Sequence, residues 1–546
     1  MCRHAFSGMV YSFRRSFSPW RWRFVKRVSI LNHVIGPVMR GPSSSHTAGP
    51  WRIARTARDL LGEKPLKAVF SFHPSSSLAV CYHDQGSDLA FVAGLLGKPL
   101  TDPVFPSMLE IARNEGLDVS FEQRSFPEAD HPNSSLLVLS GKDGVEISIH
   151  SRSVGGGSFE IASLNGRPLK ITGEAFEVAV EVPSENESDG VRLLEEWTDC
   201  VRIEESDGRV LLHASSFRAP PKTLLEKMEA LPGAGRTVSA NPVMHPLVGS
   251  EIFDCASGML SFAEKTGASL GESALAYEAA LLGFDEQRAM AEMEKRLDVM
   301  LEAVKRGFSA DISMKLLAPA ASLLAESERD GKLFLGGPHA RAAIRSLAAL
   351  HVNASGGVVC AAPTGGAAGV IPGIVSTLIE DMKIDRNRAI MALWAAGAIG
   401  LFHDLRSTFA AEVAGCQVEI GAAGAMGAAA VVEAAGGSAR QGCDAAATVF
   451  QNMMGSVCDL VQGVVEIPCH SRNAALASQA FLCADLVLAG YKNPVPLDET
   501  IDAVDSTGRM LPEELRCTSR GGLALCPSAR RLPRRNREYF KKEGTE

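Results

Sequence analysis

No two cysteines of this chain stand in a C-x-x-C pair, which excludes the usual zinc ribbon, zinc finger and ferredoxin spacings. A disulfide scaffold is excluded as well. Such scaffolds are short and cysteine-dense, whereas here 12 cysteines are spread over 546 residues without a secretory signal, nine of them after residue 250. Reduced thiols in a cytoplasm-like compartment are the expectation, with some of them available as metal ligands. Gly-x-Gly-x-x-Gly and a Walker loop are both missing, so neither a dinucleotide nor a nucleotide phosphate has its usual cradle. No membrane span is expected either: "AIMALWAAGAIGLF" (389–402) has 14 residues, and 352–379, uncharged for longer, is interrupted by Pro363 and Pro372. A net charge of −8 leaves no basic footprint for nucleic acid or anionic lipid across the molecule. Acidic residues are absent before Asp59, while Arg3, Arg14, Arg15, Arg21, Arg23, Lys26 and Arg27 precede it. That start reads either as a transit peptide or as an unstructured extension. We favour the extension, because no long amphipathic repeat organises the basic residues.

A chain of this length exceeds one hydrophobic core, so two or three domains are expected. Residues 64–180 alternate short apolar runs ("KAVFSF", "LAVCYHD", "SSLLVLSG", "VEISIHSR", "SFEIASLNG") with turn signals, and helical text such as "DLAFVAGLLG" and "PSMLEIARNEG" lies between them. After the polar break "PSENESDG" (183–190), "CVRIEESDGRVLLHASS" reads as a hairpin and leads to "PPKTLLEKMEAL". From about residue 250 apolar residues recur at three and four spacing, and only 20 of the 150 residues from 351 to 500 are charged. Helices with such small, uncharged sides pack closely all round. The fold class is therefore α+β and multidomain: an N-terminal α/β, sandwich-like portion followed by a C-terminal all-helical domain. The expected divisions are 1–30 (basic extension), 31–182, 183–245 (a linker or small regulatory-like module), 246–530 (helical) and 531–546 (basic tail).

Four stretches carry residues suited to chemistry. "MRGPSSSHTAGP" (39–50) is a hydroxyl-rich turn before helical text, which suits a carboxylate or phosphate as well as it suits an ordinary capped loop. "NASGGVVCAAPTGGAAGVIPG" (353–373) has six glycines in 21 residues, either for close approach to a ligand or for packing. Cys416, Cys458 and Cys469 are separated by 42 and 11 positions, and buried core thiols are the competing explanation. "HSRNA" after Pro468 would set Arg472 and Asn473 beside those thiols. The tail "LPEELRCTSRGGLALCPSARR" (511–531) adds Cys517 and Cys526.

Together these stretches resemble the iron–sulfur-dependent L-serine dehydratases. "GPSSSHTAGP", "YHDQGSDLAFVAGLLG" and "SVGGGSFEIASLNGRPLKITGE" resemble the family's β portion, and "NASGGVVCAAPTGGAAGVIPG", "GCQVEIGAA", "CDLVQGVVEIPCHSRNA" and "TSRGGLA" resemble its α portion, in the family's order. The likeness runs from about residue 33 to 530, with both portions fused. It implies a [4Fe–4S] cluster on Cys416, Cys458 and Cys469 with one iron open, and no pyridoxal phosphate; nor does a lysine suited to a Schiff base lie near the glycine-rich stretches. It also implies L-serine as substrate, elimination to pyruvate and ammonia, cytoplasmic location and a homodimer. In that reading Ser43 and Ser44 bind substrate with Thr364, Gly365, Gly366, Arg472 and Asn473, while Ser45, His46 and Thr47 serve catalysis, His46 first for proton transfer. Two departures stand out. Some single-chain members end in a cysteine that reaches the cluster, whereas here the chain continues to Glu546 and Cys526 is the candidate tail ligand. Where relatives have a "GHGTD"-like stretch, this chain has Gln85 in "DQGSD". The alternatives are a lyase acting on threonine or cysteine, and an iron–sulfur redox or sensor protein without turnover.

Overall fold

The computed structural model describes residues 26–535, and three bodies can be distinguished in it. The first is a six-stranded sheet in the order Asp118–Gln123, Pro65–Phe72, Ser134–Gly141, Glu146–Gly155, Ser158–Leu164, Arg167–Ile171. The first pair is parallel and the others antiparallel. Period-two alternation sends Ala68, Phe70, Phe72, Leu137, Leu139, Ile147 and Ile149 into one buried layer. The helices Ala48–Leu61 and Ser87–Leu96 contribute Ile53, Ala57, Phe91 and Val92 to the same core. One expected strand is helical: "LAVCYHD" forms the short helix Ser77–Cys81, because the Ser76 hydroxyl accepts the Ala79 N–H and caps a turn there.

The second body is a split βαβ unit. Its antiparallel sheet runs Val238–Ala240, Phe176–Pro183, Arg209–Ser216, Val201–Ser206, and the helices Glu187–Glu195 and Lys222–Glu229 contribute to its core. Val178, Val180, Val182, Val210 and Leu212 face those helices. The alternate residues Ala179 and Leu211, with Val238 and Ala240, join the core of the first body. The unit thus starts at Phe176, before the polar break, and its two central strands are buried on both faces. The expected hairpin is its second and third strands.

The helical body is built round Ile420–Ala434, of which Glu433 alone is not buried. Glycine permits this crowding. A Cβ on Gly424 would come within 2.3 Å of Leu476 Cδ1, and one on Gly427 within 2.2 Å of Ile374 Cδ1. The expected buried helix over 389–402 lies within Arg386–Arg406 and packs against this central helix. No helix among the described residues is long and apolar enough to cross a membrane.

The first described residues belong to this helical body. Of the expected extension 1–30, residues 1–25 lie outside the described residues, but Val28 and Ile30 are buried in the helical core together with Leu31, Val34 and Ile35. The buried Glu278 carboxylate accepts the Ile30 N–H at 2.8 Å, the Leu31 N–H at 2.9 Å and the Ser29 hydroxyl at 2.5 Å. The segment then forms an antiparallel ladder in which Val38, Met39 and Arg40 face Cys360, Val359 and Val358. This ladder delivers the serine-rich turn to the glycine-rich one.

Candidate functional site

Both turns continue directly from that ladder, so they emerge side by side. The Ser44 hydroxyl accepts the Gly365 N–H at 3.3 Å, and a Cβ on Gly365 would lie 2.8 Å from Ser44 N. Ser44, Ser45, His46, Thr47 and Thr364 are buried. The His46 ring lies between two hydroxyls, with Nδ1 3.2 Å from Ser43 Oγ and Nε2 3.2 Å from Ser77 Oγ. Burial lowers its pKa to about 4, so the imidazole is neutral near pH 7. Thr47 Oγ1 donates to Arg40 O at 2.7 Å and to Ser43 O at 2.9 Å, and Ser45 O accepts the Ser153 hydroxyl at 2.8 Å. These contacts hold the turn in shape.

The cysteines arrive from three elements. Cys416 opens a short 3-10 turn, Cys458 lies in a loop, and Cys469 is the first residue of the helix Cys469–Leu488, where the helix dipole favours a thiolate. All three are buried. Cys416 is pushed well above the ordinary thiol range by its hydrogen bond to Cys458 and by burial. Cys469 is raised by burial and by the nearby Cys416. For Cys458 the bond from Cys416 has a lowering effect, which a contact with Cys517 and burial outweigh. Sulfurs crowded in this way resist ionising together unless a cation joins them.

Arg472 and Asn473 are placed by the same helix but do different work. Arg472 Nη1 lies 3.4 Å from Cys416 Sγ and 2.7 Å from Val457 O, and Nη2 lies 3.0 Å from Asp459 Oδ1. Its fork is therefore engaged by the thiol loops. Asn473 is fully buried: Nδ2 donates to Gly366 O and Cys469 O, both at 2.9 Å, and Oδ1 accepts the Gly369 N–H at 3.2 Å. It ties the glycine-rich turn to the thiol helix.

Several residues here were not legible as site residues. Glu419, three positions after Cys416 in a motif already quoted, accepts the Thr364 hydroxyl at 2.6 Å. One of its oxygens and the Cys416 and Cys458 sulfurs all lie within 4.8 Å of one another. Enclosure by protein raises its carboxyl to about 7, against the lowering effect of Thr364, although the side chain keeps some accessible surface. Glu412 is raised by burial and accepts the Asn133 amide at 3.3 Å. Ser77 and Asn133 come from the first body, so both portions build the site. Cys526 stands at the start of the short helix Pro527–Arg530, and the other tail cysteine, Cys517, donates its backbone N–H to Cys458 O at 2.8 Å. Gln85 is buried and donates to Gly463 O at 3.0 Å, which links the first body to the thiol loop. A cavity of about 710 Å³ adjoins the turn at Gly41 and Pro42 but is lined by none of the cysteines.

Comparison with known proteins gives this geometry relatives. The family model described as "Serine dehydratase alpha chain" matches residues 219–524. A Streptomyces coelicolor protein named L-serine dehydratase is 30% identical over 502 residues, covering 89% of this chain and 96% of the relative. A Bacillus subtilis protein named "Probable L-serine dehydratase, alpha chain" is 39% identical over 245 residues, 45% of this chain and 82% of the relative. The corresponding alpha chain of Peptoniphilus asaccharolyticus is 36% identical over 259 residues, 46% of this chain and 87% of the relative.

Proposed function

The chain belongs to the L-serine dehydratase family, with the β and α portions fused in one polypeptide, and from that premise we propose that it deaminates L-serine to pyruvate and ammonia at an iron–sulfur centre. The observation that carries this reading is the contact between Ser44 and Gly365, which sets a hydroxyl-rich turn of one portion against the cysteine site of the other. The residues fit such a centre. Cys416 and Cys458, whose sulfurs lie within 4.8 Å of each other, would hold a [4Fe–4S] cluster together with Cys469, which is near enough to Cys416 to be raised by it. When bound, the cluster supplies a Lewis acid for the departing hydroxyl group of serine.

The rest of the chemistry falls to side chains. Ser43, Ser44 and the Thr364–Gly366 turn bind the substrate's carboxylate and ammonium groups through hydroxyls and backbone N–H donors. His46, neutral because it is buried, takes the α-proton, and Ser43 and Ser77 fix its ring orientation. Glu419, which exchanges a proton near neutral pH, holds one beside the sulfurs and keeps Thr364 in place. Arg472 steadies the Cys416 and Asp459 side of the centre rather than reaching for substrate. The product 2-aminoacrylate tautomerises to an imine, which water hydrolyses. The enzyme acts without pyridoxal phosphate, and we expect a homodimer in the cytoplasm.

The test is anaerobic reconstitution with iron and sulfide, followed by assays for pyruvate or 2-oxobutyrate from serine, threonine and cysteine. Serine turnover and brown absorbance are expected together, and both should be lost in Cys458→Ala. Faster turnover of threonine or cysteine would reassign the substrate. A reversible one-electron change without turnover would make the protein a redox or sensor module.

A further inference from the structure

Glu412 takes part in none of the steps above, yet the fold sets it at the junction of the two portions. The glycine hairpin between Glu146–Gly155 and Ser158–Leu164 places it there. Gly155, Gly156 and Gly157 lie at φ 105°, 60° and 84°, a course that side chains rarely adopt. A Cβ on Gly155 would stand 3.0 Å from Ala410 N, so the hairpin tip lies against the segment that leads into Glu412. One on Gly157 would stand 3.0 Å from Ala48 Cβ, at the start of the helix that follows the serine-rich turn. Ser153, just before the tip, donates its backbone N–H to Asn133 O at 3.2 Å and its hydroxyl to Ser45 O at 2.8 Å. One hairpin thus holds Glu412, Asn133 and the His46 turn in fixed relation.

Within that frame the Glu412 carboxylate is short of donors. Enclosure by protein raises its carboxyl, and only its own backbone N–H and the Asn133 amide, at 3.3 Å, oppose the rise. No lysine or arginine pairs with it among the described residues. Its charge raises Glu419, Cys81 and Cys517, so it lies within electrostatic reach of the thiol site. Glu412 nevertheless keeps some accessible surface, as Ser43, Ser77 and Glu419 do, which places it in a recess and not in packed core. A second, independent observation points to a ligand. Asn133 is 1% exposed, and its Oδ1, on the amide that reaches Glu412, has no hydrogen-bond partner among the described residues. A buried carbonyl oxygen beside a carboxylate makes two acceptors suited to a group rich in N–H donors.

We propose that Glu412, with the Asn133 carboxamide oxygen beside it, receives the α-ammonium group of the substrate. The proposal rests on the serine reading above. The backbone N–H groups and hydroxyls of the Ser43–Ser44 and Thr364–Gly366 turns match the substrate's carboxylate. Its ammonium group brings three N–H donors and a positive charge, which call for an anion. Glu419 serves that end less well, because it is engaged by Thr364 and lies within 4.8 Å of the Cys416 and Cys458 sulfurs. An ion pair in a recess also sets specificity. A 3-hydroxy acid without the amino group leaves the Glu412 carboxylate unpaired inside the protein, and so binds less well than serine.

The test uses the full-length chain reconstituted anaerobically, with bound iron counted in every variant. Serine turnover gives KM and kcat. 3-Hydroxypropionate, which is serine with hydrogen in place of the ammonium group, is measured as an inhibitor and by calorimetry. In Glu412→Gln, which keeps the size of the side chain, the KM for serine should rise about ten-fold or more, while 3-hydroxypropionate binds as in the parent within about two-fold. Glu412→Asp, which keeps the charge, should recover part of the loss, and iron content should be equal in all three proteins. Equal weakening of serine and 3-hydroxypropionate, or loss of iron from both variants, would make Glu412 a structural residue and overturn the assignment. An unchanged KM for serine in Glu412→Gln would overturn it as well. A parent chain that holds its iron yet turns over no serine would instead remove the serine reading, and this proposal with it.

Discussion

Asn473 separates two accounts of the site, because a brace and a substrate contact fail differently. In the brace account, Asn473→Ala strands two buried backbone groups, Gly366 C=O and Gly369 N–H, which its amide now satisfies. Cys469 C=O loses little, since it begins a helix whose own ladder serves it. Leaving a buried polar group unpaired costs about 1–3 kcal/mol, so two of them cost about 3 kcal/mol even when the turn relaxes in part. The loss is local: it lowers the free energy for opening the Thr364–Gly369 turn. Hydrogen exchange of a peptide spanning that turn should therefore speed up roughly a hundred-fold in the cluster-free protein. Peptides from the six-stranded sheet should exchange as before. Asn473→Asp keeps the acceptor for Gly369 N–H and should recover part of the protection. Unchanged exchange in the turn, with a raised KM for serine alone, would refute the brace account and make Asn473 a substrate contact.

Two further predictions follow from the same junction. A Cβ on Gly41 would stand 2.0 Å from Asn353 O, a backbone atom that cannot step aside, so Gly41→Ala should push the serine-rich turn off the helix Pro338–Ala354. Serine turnover by the reconstituted enzyme should fall about a hundred-fold while far-ultraviolet circular dichroism stays the same; near-normal kcat/KM would show that the turn's placement is not critical. The Glu419 carboxyl, raised from an ordinary 4.5 to about 7, stays protonated in the fold where the unfolded chain has already ionised. Stability of the cluster-free protein should therefore fall as pH rises from 4.5 to about 7, by at most about 3 kcal/mol, and Glu419→Gln should flatten that slope in thermal melts.

What could be read from the sequence divides by the range of the forces involved. Alternation in "SSLLVLSG" and "VEISIHSR" is a local pattern that burial enforces, and both runs are strands. "LAVCYHD" has equally apolar text, but its conformation is decided by the Ser76 cap, and it is helical. The small module was half legible: its hairpin shows in the sequence, while its first strand, Phe176–Pro183, also serves the core of the first body and falls almost wholly inside the division 31–182. The site divides in the same way. The serine-rich turn and the three cysteines stood out by composition or resemblance. Glu419, Ser77, Asn133 and Cys517 owe their places to contacts between segments 31 to 279 residues apart, such as His46 with Ser77 and Asn133 with Glu412. The tail shows most clearly why spacing misleads. Cys526 and Cys517 look equally available in the text, and the choice between them is made by backbone pairing: Leu515 and Cys517 bond to Cys458, and Ser519 and Leu523 bond along the same loop. A cysteine placed by main-chain register leaves no side-chain signature in one sequence, so only the folded chain identifies Cys517 as the tail cysteine beside Cys458.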